Sequence, residues 1–295
     1  MVRILVTGAR GGLGRVLVER LRATGLSLAP AFAGPVEVTA LGREELDIAR
    51  REHVERAFAA HKPDILMNAA GLTQVDLCES YQWEAYLVNR DGAEHLGRSC
   101  AKSGALLVYF STDLVFDGSK RAPYTEEDPP NPLSVYADTK LAGELIVMKS
   151  AAKHLILRTG WLYGQPGRHF LKTVQEGLRD DEILFTYDDQ VAQPTYVHDF
   201  LGAALHLVAQ GHAGTYHAGN AGEATQFQAV KKLIEAMGRR GVEVRAIQHQ
   251  LDGRQAMRPR YSVLASAKLE QTGHKMRPWD AAMKEFGASL VNVRV

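Results

Sequence analysis

The chain has 295 residues, of which 45% are hydrophobic and 23% are charged, and its formal net charge is +1. This composition is typical of a globular protein with one large domain or two closely packed ones. The small net charge, without long runs of like charge, argues against nucleic acid or an anionic membrane as the partner. No apolar run approaches the ~20 residues of a membrane helix and no signal peptide is recognisable, so we expect a cytoplasmic protein that acts on small molecules.

The N-terminal segment has the order strand, glycine-rich turn, helix. Val2 to Thr7 is a run rich in Val, Ile and Leu, and an amphipathic segment extends from the turn to about Thr24. Gly8, Gly11 and Gly14 form G-x-x-G-x-x-G, in which missing side chains allow the backbone to approach a pyrophosphate at the positive end of the helix. We therefore predict a dinucleotide site here, with a purely structural turn as the alternative.

A second strand is predicted over Val36 to Leu41, and the end of this strand contacts the adenosine ribose in such folds. A carboxylate at that end would select NAD, but Gly42 and Arg43 occupy the place. Arg43 can pair with a 2′-phosphate, which favours NADPH, although a solvated arginine at a strand end is the alternative. Asp47 is the remaining polar candidate near the adenine, and we expect it to open the next helix.

The third and fourth predicted strands both end in small or polar residues. Ile65 to Asn68 leads into Ala69-Ala70-Gly71, whose small side chains allow the close approach of a ligand. Ala105 to Phe110 leads into Ser111-Thr112-Asp113, and the carboxyl ends of strands are where an open α/β sheet binds ligands. Thr112 is therefore a candidate to hydrogen-bond a substrate carbonyl, with strand capping as the alternative.

The next predicted helix carries two residues with proton-transfer chemistry. Asn131 before Pro132 indicates an N-cap followed by a first-turn proline. Tyr136 and Lys140 lie four residues apart and would share one helix face, where a nearby cation lowers the pKa of a phenol. The alternative is an exposed lysine one turn after a half-buried tyrosine. The positions at roughly helical spacing that predict the helix are Leu133, Tyr136, Leu141, Leu145 and Met148.

A fifth strand is predicted over His154 to Arg158, followed by Trp161, an aromatic residue that can stack on a sugar or pack in the core. The repeated alternation of strand and helix predicts an α/β fold with a Rossmann-type doubly wound parallel sheet. Residues 117–132, rich in charge, glycine and proline, are predicted to form a loop over the site. We predict a dinucleotide-binding domain of residues 1–160 plus about 194–222, and a smaller C-terminal substrate lobe of about 161–193 plus 223–295.

Neither disulfide nor metal chemistry is indicated. Cys78 and Cys100 are the only cysteines, too few for a disulfide framework, and we expect reduced structural thiols. The histidines nearest one another in sequence lack the spacing of a metal site, and no cysteine or carboxylate completes one. We therefore assign no metal ligand.

Eight sequence blocks occur in the order and spacing of an extended short-chain dehydrogenase/reductase. They are TGARGGLG, NAAGLTQVD, STDLVFDG, YADTKLAGE, RTGWLYG, QPTYVHDF, YHAGNAG and RPRYSVLAS. More narrowly, they resemble the dTDP-4-dehydrorhamnose reductase family, from the first strand to about Ser266. The resemblance implies hydride delivery from NADPH or NADH to the 4-keto carbon of a nucleotide-linked 6-deoxyhexulose, which gives dTDP-L-rhamnose.

The resemblance also implies roles for individual residues. Tyr136 would protonate the new alkoxide, Lys140 would hold the nicotinamide ribose and lower the pKa of the tyrosine, and Thr112 would polarise the carbonyl. Asp113 and Trp161 are expected to touch the sugar. The residues expected at the cofactor are Gly8, Gly11, Gly12, Leu13 and Gly14 in the turn, Arg43, Asp47 and Ile48 on the adenine side, and Ala70, Gly71 and Thr73 on the inner face, with Tyr136 and Lys140.

Some members of this family bind Mg2+ through acidic residues at a dimer contact. A homodimer and a bound Mg2+ ion are therefore expected, but no residue of this chain can be assigned as a Mg2+ ligand.

Two other functions stay open. A sugar-nucleotide epimerase or dehydratase of the same superfamily would share Tyr136 and Lys140 but hold its NAD tightly. A non-catalytic NADP-binding subunit, like the regulatory subunit of methionine adenosyltransferase, would bind a partner protein and turn nothing over.

Overall fold

The computed structural model describes residues 1–24, 35–151, 153–164, 166–167, 169–172, 174, 183–248 and 254–292. Part of the predicted lobe segment 161–193, including residues 175–182, lies outside these ranges. The described strands are β1 (Val2–Thr7), β2 (Val36–Leu41), β3 (Ile65–Asn68), β4 (Leu106–Thr112), β5 (Lys153–Thr159), β6 (Leu162–Tyr163), β7 (Ile183–Tyr187), β8 (Val191–Ala192), β9 (Thr195–Tyr196), β10 (Gly214–His217), β11 (Ala224–Thr225) and β12 (Glu243–Ile247).

The helices alternate with the first strands and then continue toward the C-terminus. A π-helical turn, Leu87–Asp91, joins the fourth helix to the fifth, and a 3-10 turn, Asp113–Val115, follows β4. The described helices are α1 (Gly12–Thr24), α2 (Arg51–His61), α3 (Val75–Ser80), α4 (Gln82–Tyr86), α5 (Gly92–Ser103), α6 (Val135–Ser150), α7 (Val197–Ala209), α8 (Gln226–Ala236), α9 (Ala267–Glu270) and α10 (Trp279–Asn292).

Six parallel strands form the central sheet, in the order β2-β1-β3-β4-β5-β10. Both faces of this sheet are covered. Along β1, Ile4 and Val6 belong to one apolar cluster, which includes residues of α1 and α7, while Leu5 belongs to a second cluster with residues of α2, α5 and α6. Successive side chains of a strand point to opposite faces, so burial on both faces produces the doubly wound arrangement. The predicted fold class is therefore confirmed.

Within the central sheet the predicted strands agree closely with the structure, with two extensions and one addition. The bounds of β1, β2 and β3 match the prediction, whereas β4 extends to Thr112 and β5 to Thr159. The sixth strand, β10, which pairs with β5, was not predicted as a strand. Three two-stranded sheets, β6 with β9, β7 with β12 and β8 with β11, lie outside the central sheet. The division of the chain into two domains stays a prediction.

Two predicted helix starts are wrong. Helix α6 is capped by Ser134, whose Oγ accepts from the N–H of Ala137 at 3.3 Å, so Pro132 lies before the helix. Asn131 instead donates from its side-chain amide to Asp117 at 2.9 Å. Asp47 does not open a helix either, because α2 begins at Arg51.

No helix in the described ranges is long and apolar enough to cross a bilayer.

Candidate active site

The glycine-rich turn brings the ends of β1 and β3 into close contact. Gly8 has a φ of 63°, and a Cβ atom there would lie 2.5 Å from the backbone nitrogen of Ala70. Gly14 leaves equally little room, because an added Cβ would overlap the carbonyl of Gly8. The N–H of Gly11 donates to that carbonyl at 2.9 Å. Glycine is thus required at Gly8 both by conformation and by space.

A cavity of about 220 Å³ opens beside this turn, at the carboxyl ends of β1, β2 and β3. This is the position at which doubly wound sheets bind a dinucleotide. Of the residues predicted to bind the cofactor, the cavity wall includes Gly8, Gly11, Arg43, Asp47, Ile48, Ala70 and Gly71. The wall also includes Ala69, which was expected to allow the close approach of a ligand, and four residues that were not predicted to lie there, namely Arg10, Leu46, Leu72 and Val88.

The remaining predicted cofactor residues lie outside this wall. Gly12, Leu13 and Gly14 form the first turn of α1, and Leu13 packs partly against the core. Thr73 is exposed on the loop between β3 and α3. Their contacts with a cofactor stay predictions. The glycine turn nevertheless leads directly into the N-terminus of α1, the positive end of the helix, which is where a pyrophosphate binds in such folds.

Charged side chains are concentrated at the β2 end of the cavity. Arg10 contacts two carboxylates, donating to Glu44 at 2.6 Å and to Glu45 at a shorter distance. The second oxygen of Glu45 accepts from the N–H of Gly42 at 2.8 Å. Arg43 is exposed and has no ion-pair partner among the described residues. The free guanidinium is therefore available to an anion bound in the cavity.

The inner wall of the cavity is held by Asn89, which lies in the π-helical turn. Its side-chain oxygen accepts from the N–H of Leu72 at 2.9 Å, and its amide nitrogen donates to the carbonyl of Leu72 and to Oγ1 of Thr139, each at 3.0 Å. Thr139 belongs to α6, directly before Lys140. One buried amide thus links the loop after β3 to the helix that carries the predicted catalytic pair.

Tyr136 and Thr112 lie together where α6 passes the end of β4. Both are almost completely buried, and Tyr136 packs in a small cluster with Cys78 and Leu72, the latter a residue of the cavity wall. Burial raises the pKa of Tyr136 well above its usual value, which a hydrogen bond with Thr112 partly offsets. The phenol is therefore fully protonated at neutral pH.

Lys140 does not lower the pKa of Tyr136 as predicted. Its ammonium donates to the carbonyl of Phe110 at 2.7 Å and lies 4.0 Å from the ring centroid of Tyr109. Burial lowers the pKa of Lys140 to about 7, an effect that the carboxylate of Glu144 opposes. Because the ammonium is directed to β4, desolvation dominates the pKa of the tyrosine.

Asp113 is buried beside Thr112, and both of its carboxylate oxygens have partners within the protein. One accepts from the hydroxyl of Thr112 at 3.2 Å, and the other accepts from the hydroxyl of Ser262. Burial raises the pKa of Asp113 to about 6. In this arrangement Asp113 orients the Thr112 hydroxyl, and its contact with a sugar stays a prediction.

Trp161 follows β5 in an uncommon backbone conformation. Its φ is 40°, rare for a residue with a bulky side chain, and its carbonyl accepts from the N–H of Thr195 at 3.2 Å. The half-buried indole lies 5.4 Å from the ring centroid of Phe170. Backbone strain of this kind is concentrated at ligand sites in proteins, which agrees with the predicted substrate contact without testing it.

A second cavity, of about 500 Å³, is walled by residues of the loop after β4, the segment before β8 and the segment 254–260. The side-chain nitrogen of Gln190 in this wall is buried and has no hydrogen-bond partner in the part of the chain that the structure describes. Arg258 is bound by Asp76, at 2.6 and 3.0 Å, but Arg260 has no ion-pair partner among the described residues. The wall thus offers one free guanidinium and one free amide donor.

The described residues contain no group of three or more His, Cys, Asp or Glu side chains that could hold a metal ion. Cys78 and Cys100 are free and buried, as expected of structural thiols. Burial raises the pKa of Cys78 to about 11, so this thiol is not a reactive thiolate at neutral pH.

A glycine turn with a cavity at the carboxyl ends of β1, β2 and β3, beside a Tyr-x-x-x-Lys helix, is typical of an extended short-chain dehydrogenase/reductase. Comparison with known proteins specifies the family further: the model of the RmlD substrate binding domain matches residues 2–292, and the chain belongs to this family. It is 38% identical to a dTDP-4-dehydrorhamnose reductase of Streptomyces griseus, with 98% of this chain and 94% of the relative covered.

Two solved structures extend the comparison to three dimensions. A dTDP-4-dehydrorhamnose reductase ortholog from Clostridium acetobutylicum is 34% identical, with a TM-score of 0.88 and coverage of 97% of this chain and 98% of the other. The dTDP-4-dehydrorhamnose reductase of Bacillus anthracis, solved in complex with NADP, is 31% identical, with a TM-score of 0.88 and coverage of 97% and 99%. The resemblance predicted from the sequence is therefore confirmed.

Proposed function

We propose that this protein is an NAD(P)H-dependent oxidoreductase that reduces the 4-keto group of a nucleotide-linked 6-deoxyhexulose, converting dTDP-4-dehydrorhamnose to dTDP-L-rhamnose. The relatives named above support the reaction, and the NADP complex of one of them supports the cofactor. The observation that carries the proposal is the position of the protonated Tyr136 beside Thr112, next to Leu72 of the dinucleotide cavity.

The chain supplies the acid and the orientation for this reaction. NADPH or NADH, when bound, supplies the hydride. Tyr136 then donates its phenolic proton to the oxygen of the former carbonyl, a proton that a tyrosine retains at neutral pH. Without substrate, Thr112 donates its one hydroxyl proton to Asp113; with substrate bound, that proton would turn to the same oxygen while Asp113 stays beside it. Lys140 binds the nicotinamide ribose and adds positive charge near the forming alkoxide.

We assign the nucleotide end of the substrate to the larger cavity. Arg260 and the amide of Gln190 are donors suited to diphosphate oxygens, and the cavity is lined by both the loop after β4 and segment 254–260. The test of the function is direct: purified protein is titrated with dTDP- and UDP-linked 4-keto sugars while NAD(P)H absorbance is followed. Oxidation of NAD(P)H with the dTDP sugar supports the proposal, whereas inertness toward every sugar contradicts it.

The first prediction concerns cofactor preference. We expect NADPH to bind more tightly than NADH, and Arg43→Ala to weaken NADPH selectively by roughly 10-fold, the loss of one charge-assisted contact. Both dissociation constants are measured by fluorescence titration. Arg258→Ala is the control, because Arg258 is already paired with Asp76 away from this cavity. Equal weakening of NADPH and NADH in Arg43→Ala would remove the argument for a 2′-phosphate contact.

The second prediction concerns Trp161. Because the indole is only partly buried at the end of β5, Trp161→Ala should raise KM for the sugar nucleotide while the free energy of unfolding falls modestly. Steady-state kinetics and urea unfolding measure the two effects. A loss of about 3–5 kcal/mol, the range for a core aromatic, together with an unchanged KM would identify Trp161 as a packing residue instead.

A further inference from the structure

The buried face of α6 carries a second charged side chain beyond Lys140. Glu144 is completely buried and lies one helical turn after Lys140, so the Cβ atoms of the two are about 5–6 Å apart. Tyr136, Lys140 and Glu144 therefore form a continuous stripe along the face of α6 that packs on the sheet. The proposed reaction uses the first two residues of this stripe and leaves the third without a role.

Glu144 is held by an arginine of the neighbouring strand. Arg158, in β5, donates from Nε at 3.0 Å and from Nη2 at 2.6 Å to the two carboxylate oxygens, and only 4% of its surface is exposed. Its Nη1 lies 3.4 Å from Nε2 of the buried His217, the residue paired with it in β10. The other ring nitrogen of His217 lies 3.0 Å from the carbonyl of Tyr124, so it donates this hydrogen bond and Nε2 accepts from Arg158.

A buried ion pair of this kind is an inefficient way to stabilise a fold. The desolvation of two charges offsets most of their attraction, and apolar side chains of similar volume often give equal or greater stability. Packing alone therefore does not account for a carboxylate at this position. Its place one turn from a buried ammonium suggests an electrostatic role.

We propose that Glu144, fixed by Arg158, is a positioning residue that keeps the ammonium of Lys140 charged while the site is closed from water. The proposal rests on the proposed function, since it assigns Glu144 to the reduction that Tyr136 and Lys140 carry out. It identifies the third member of the buried stripe as part of the catalytic apparatus without direct contact with the substrate.

The electrostatics of the site agree with this role. Burial lowers the pKa of Lys140 to about 7, and Glu144 is the carboxylate that raises it. The other titratable or charged groups that face the pair are Tyr109 from β4, Arg158 from β5, Asp113 after β4 and Cys78 from α3, the last two of which act on Tyr136. Without the charge of Glu144, the pKa of Lys140 would be lower still, and less of it would be protonated at a given pH.

The test compares the alkaline limb of the pH profile of kcat/KM in three variants. Removal of a negative charge makes the Tyr136 and Lys140 pair lose its proton more readily, so Glu144→Gln should move the limb to lower pH by roughly one unit. Glu144→Asp retains the charge and should keep the limb near that of the wild type. Glu94→Gln, which removes the carboxylate of a surface ion pair with Arg98, is the matched control and should leave the profile unchanged.

A double variant separates this role from a structural one and covers the case in which Glu144→Gln does not fold. Glu144→Leu with Arg158→Leu replaces the ion pair by apolar side chains and should fold, as thermal unfolding will show. We expect its limb to lie at lower pH than that of the wild type, but by less than in Glu144→Gln, because the positive charge of Arg158 is removed as well. A wild-type limb in the folded double variant, or in a folded Glu144→Gln, would overturn the proposal.

A second readout distinguishes failure of this inference from failure of the proposed function. The dissociation constant of NADPH is measured against pH without any sugar, since Lys140 contributes its charge to cofactor binding. In Glu144→Gln the loss of affinity with rising pH should begin roughly one unit lower than in the wild type. This result would stand even if the wild type reduced none of the sugars, whereas coincident profiles would overturn the role of Glu144.

Discussion

Tyr136→Phe should lower kcat by ~10²–10⁴-fold, the usual contribution of a positioned general acid. The variant keeps the ring that packs against Cys78 and Leu72, and it removes only the hydroxyl that would protonate the forming alkoxide. The dissociation constant of NADPH should therefore stay within a few-fold of the wild-type value. Single-turnover kinetics at saturating sugar nucleotide and cofactor provide the measurement, since they report on the chemical step and not on product release.

Tyr109→Phe is the matched control for this prediction. Tyr109 is equally buried, lies beside Lys140 and uses its hydroxyl to donate to the carbonyl of Asn89 at 3.2 Å. Its loss should lower the free energy of unfolding by about 1 kcal/mol while kcat remains within a few-fold of wild type. If Tyr136→Phe turned over at the wild-type rate, or if both variants lost activity equally, a general-acid role for Tyr136 would be untenable.

The acid role also depends on the sign of the pKa shift. Sequence reasoning expected a cation to lower the pKa of Tyr136, as suits a residue that exchanges protons near neutrality. In the structure burial raises that pKa, and the ammonium of Lys140 is directed to the carbonyl of Phe110. The reaction needs the protonated phenol at its start, which even the usual tyrosine pKa of about 10 supplies near neutrality. A higher pKa makes the phenol a weaker acid, so this shift does not by itself favour the reduction.

Helix α6 shows where sequence reasoning succeeded and where it failed. The pairing of Tyr136 with Lys140 on one face follows from helical spacing alone and is correct. The apolar positions chosen to define the helix were misleading, since Leu145 and Met148 are 56% and 40% exposed. The buried face instead carries Lys140 and Glu144, because Arg158 and the carbonyls of β4 provide partners for the charges. Those partners are distant in sequence, so periodicity could not reveal them.

The strands and the glycine turn were predictable for a different reason. Val2–Thr7 and Ile65–Asn68 are short, mostly apolar runs, each followed by a small residue. A strand that is buried on both faces can be predicted from such a run alone. The cavity wall includes Arg10, which sequence reasoning passed over because its position depends on two carboxylates after β2. Arg10 lies between Gly8 and Gly11 in the glycine turn, and the two acidic residues follow the second strand. An arginine in the turn together with acidic residues after the second strand is the signal that could have identified Arg10.

Asn89 is a structural contributor that the sequence did not identify as one. It lies in a π-helical turn, a local irregularity that is frequent at functional sites and is not visible in a hydrophobic pattern. Its amide satisfies both backbone groups of Leu72 and contacts Thr139 on α6. Gly71 lies against the same amide, since an added Cβ there would be 3.2 Å from its oxygen.

Asn89→Ala should lower the free energy of unfolding by about 3 kcal/mol and weaken NADPH binding by roughly 10-fold or more. The substitution leaves the N–H and carbonyl of Leu72 and the hydroxyl of Thr139 without this partner in a buried region, and each such group costs about 1–3 kcal/mol before relaxation. Because Leu72 forms part of the cavity wall, the loosened loop should lose affinity for the cofactor. Urea unfolding and fluorescence titration of NADPH measure the two effects.

Asn89→Asp sharpens this last prediction, because it retains an acceptor for the N–H of Leu72 but loses both donated bonds. A carboxylate would also face the carbonyl of Leu72 in a buried site, so this variant should be at least as unstable as Asn89→Ala despite its similar shape. Asn131→Ala is the control: it removes an amide that donates to Asp117 at an exposed position and should cost less than about 1 kcal/mol. Wild-type NADPH affinity in a destabilised Asn89→Ala would show that Asn89 stabilises the fold without shaping the cofactor site.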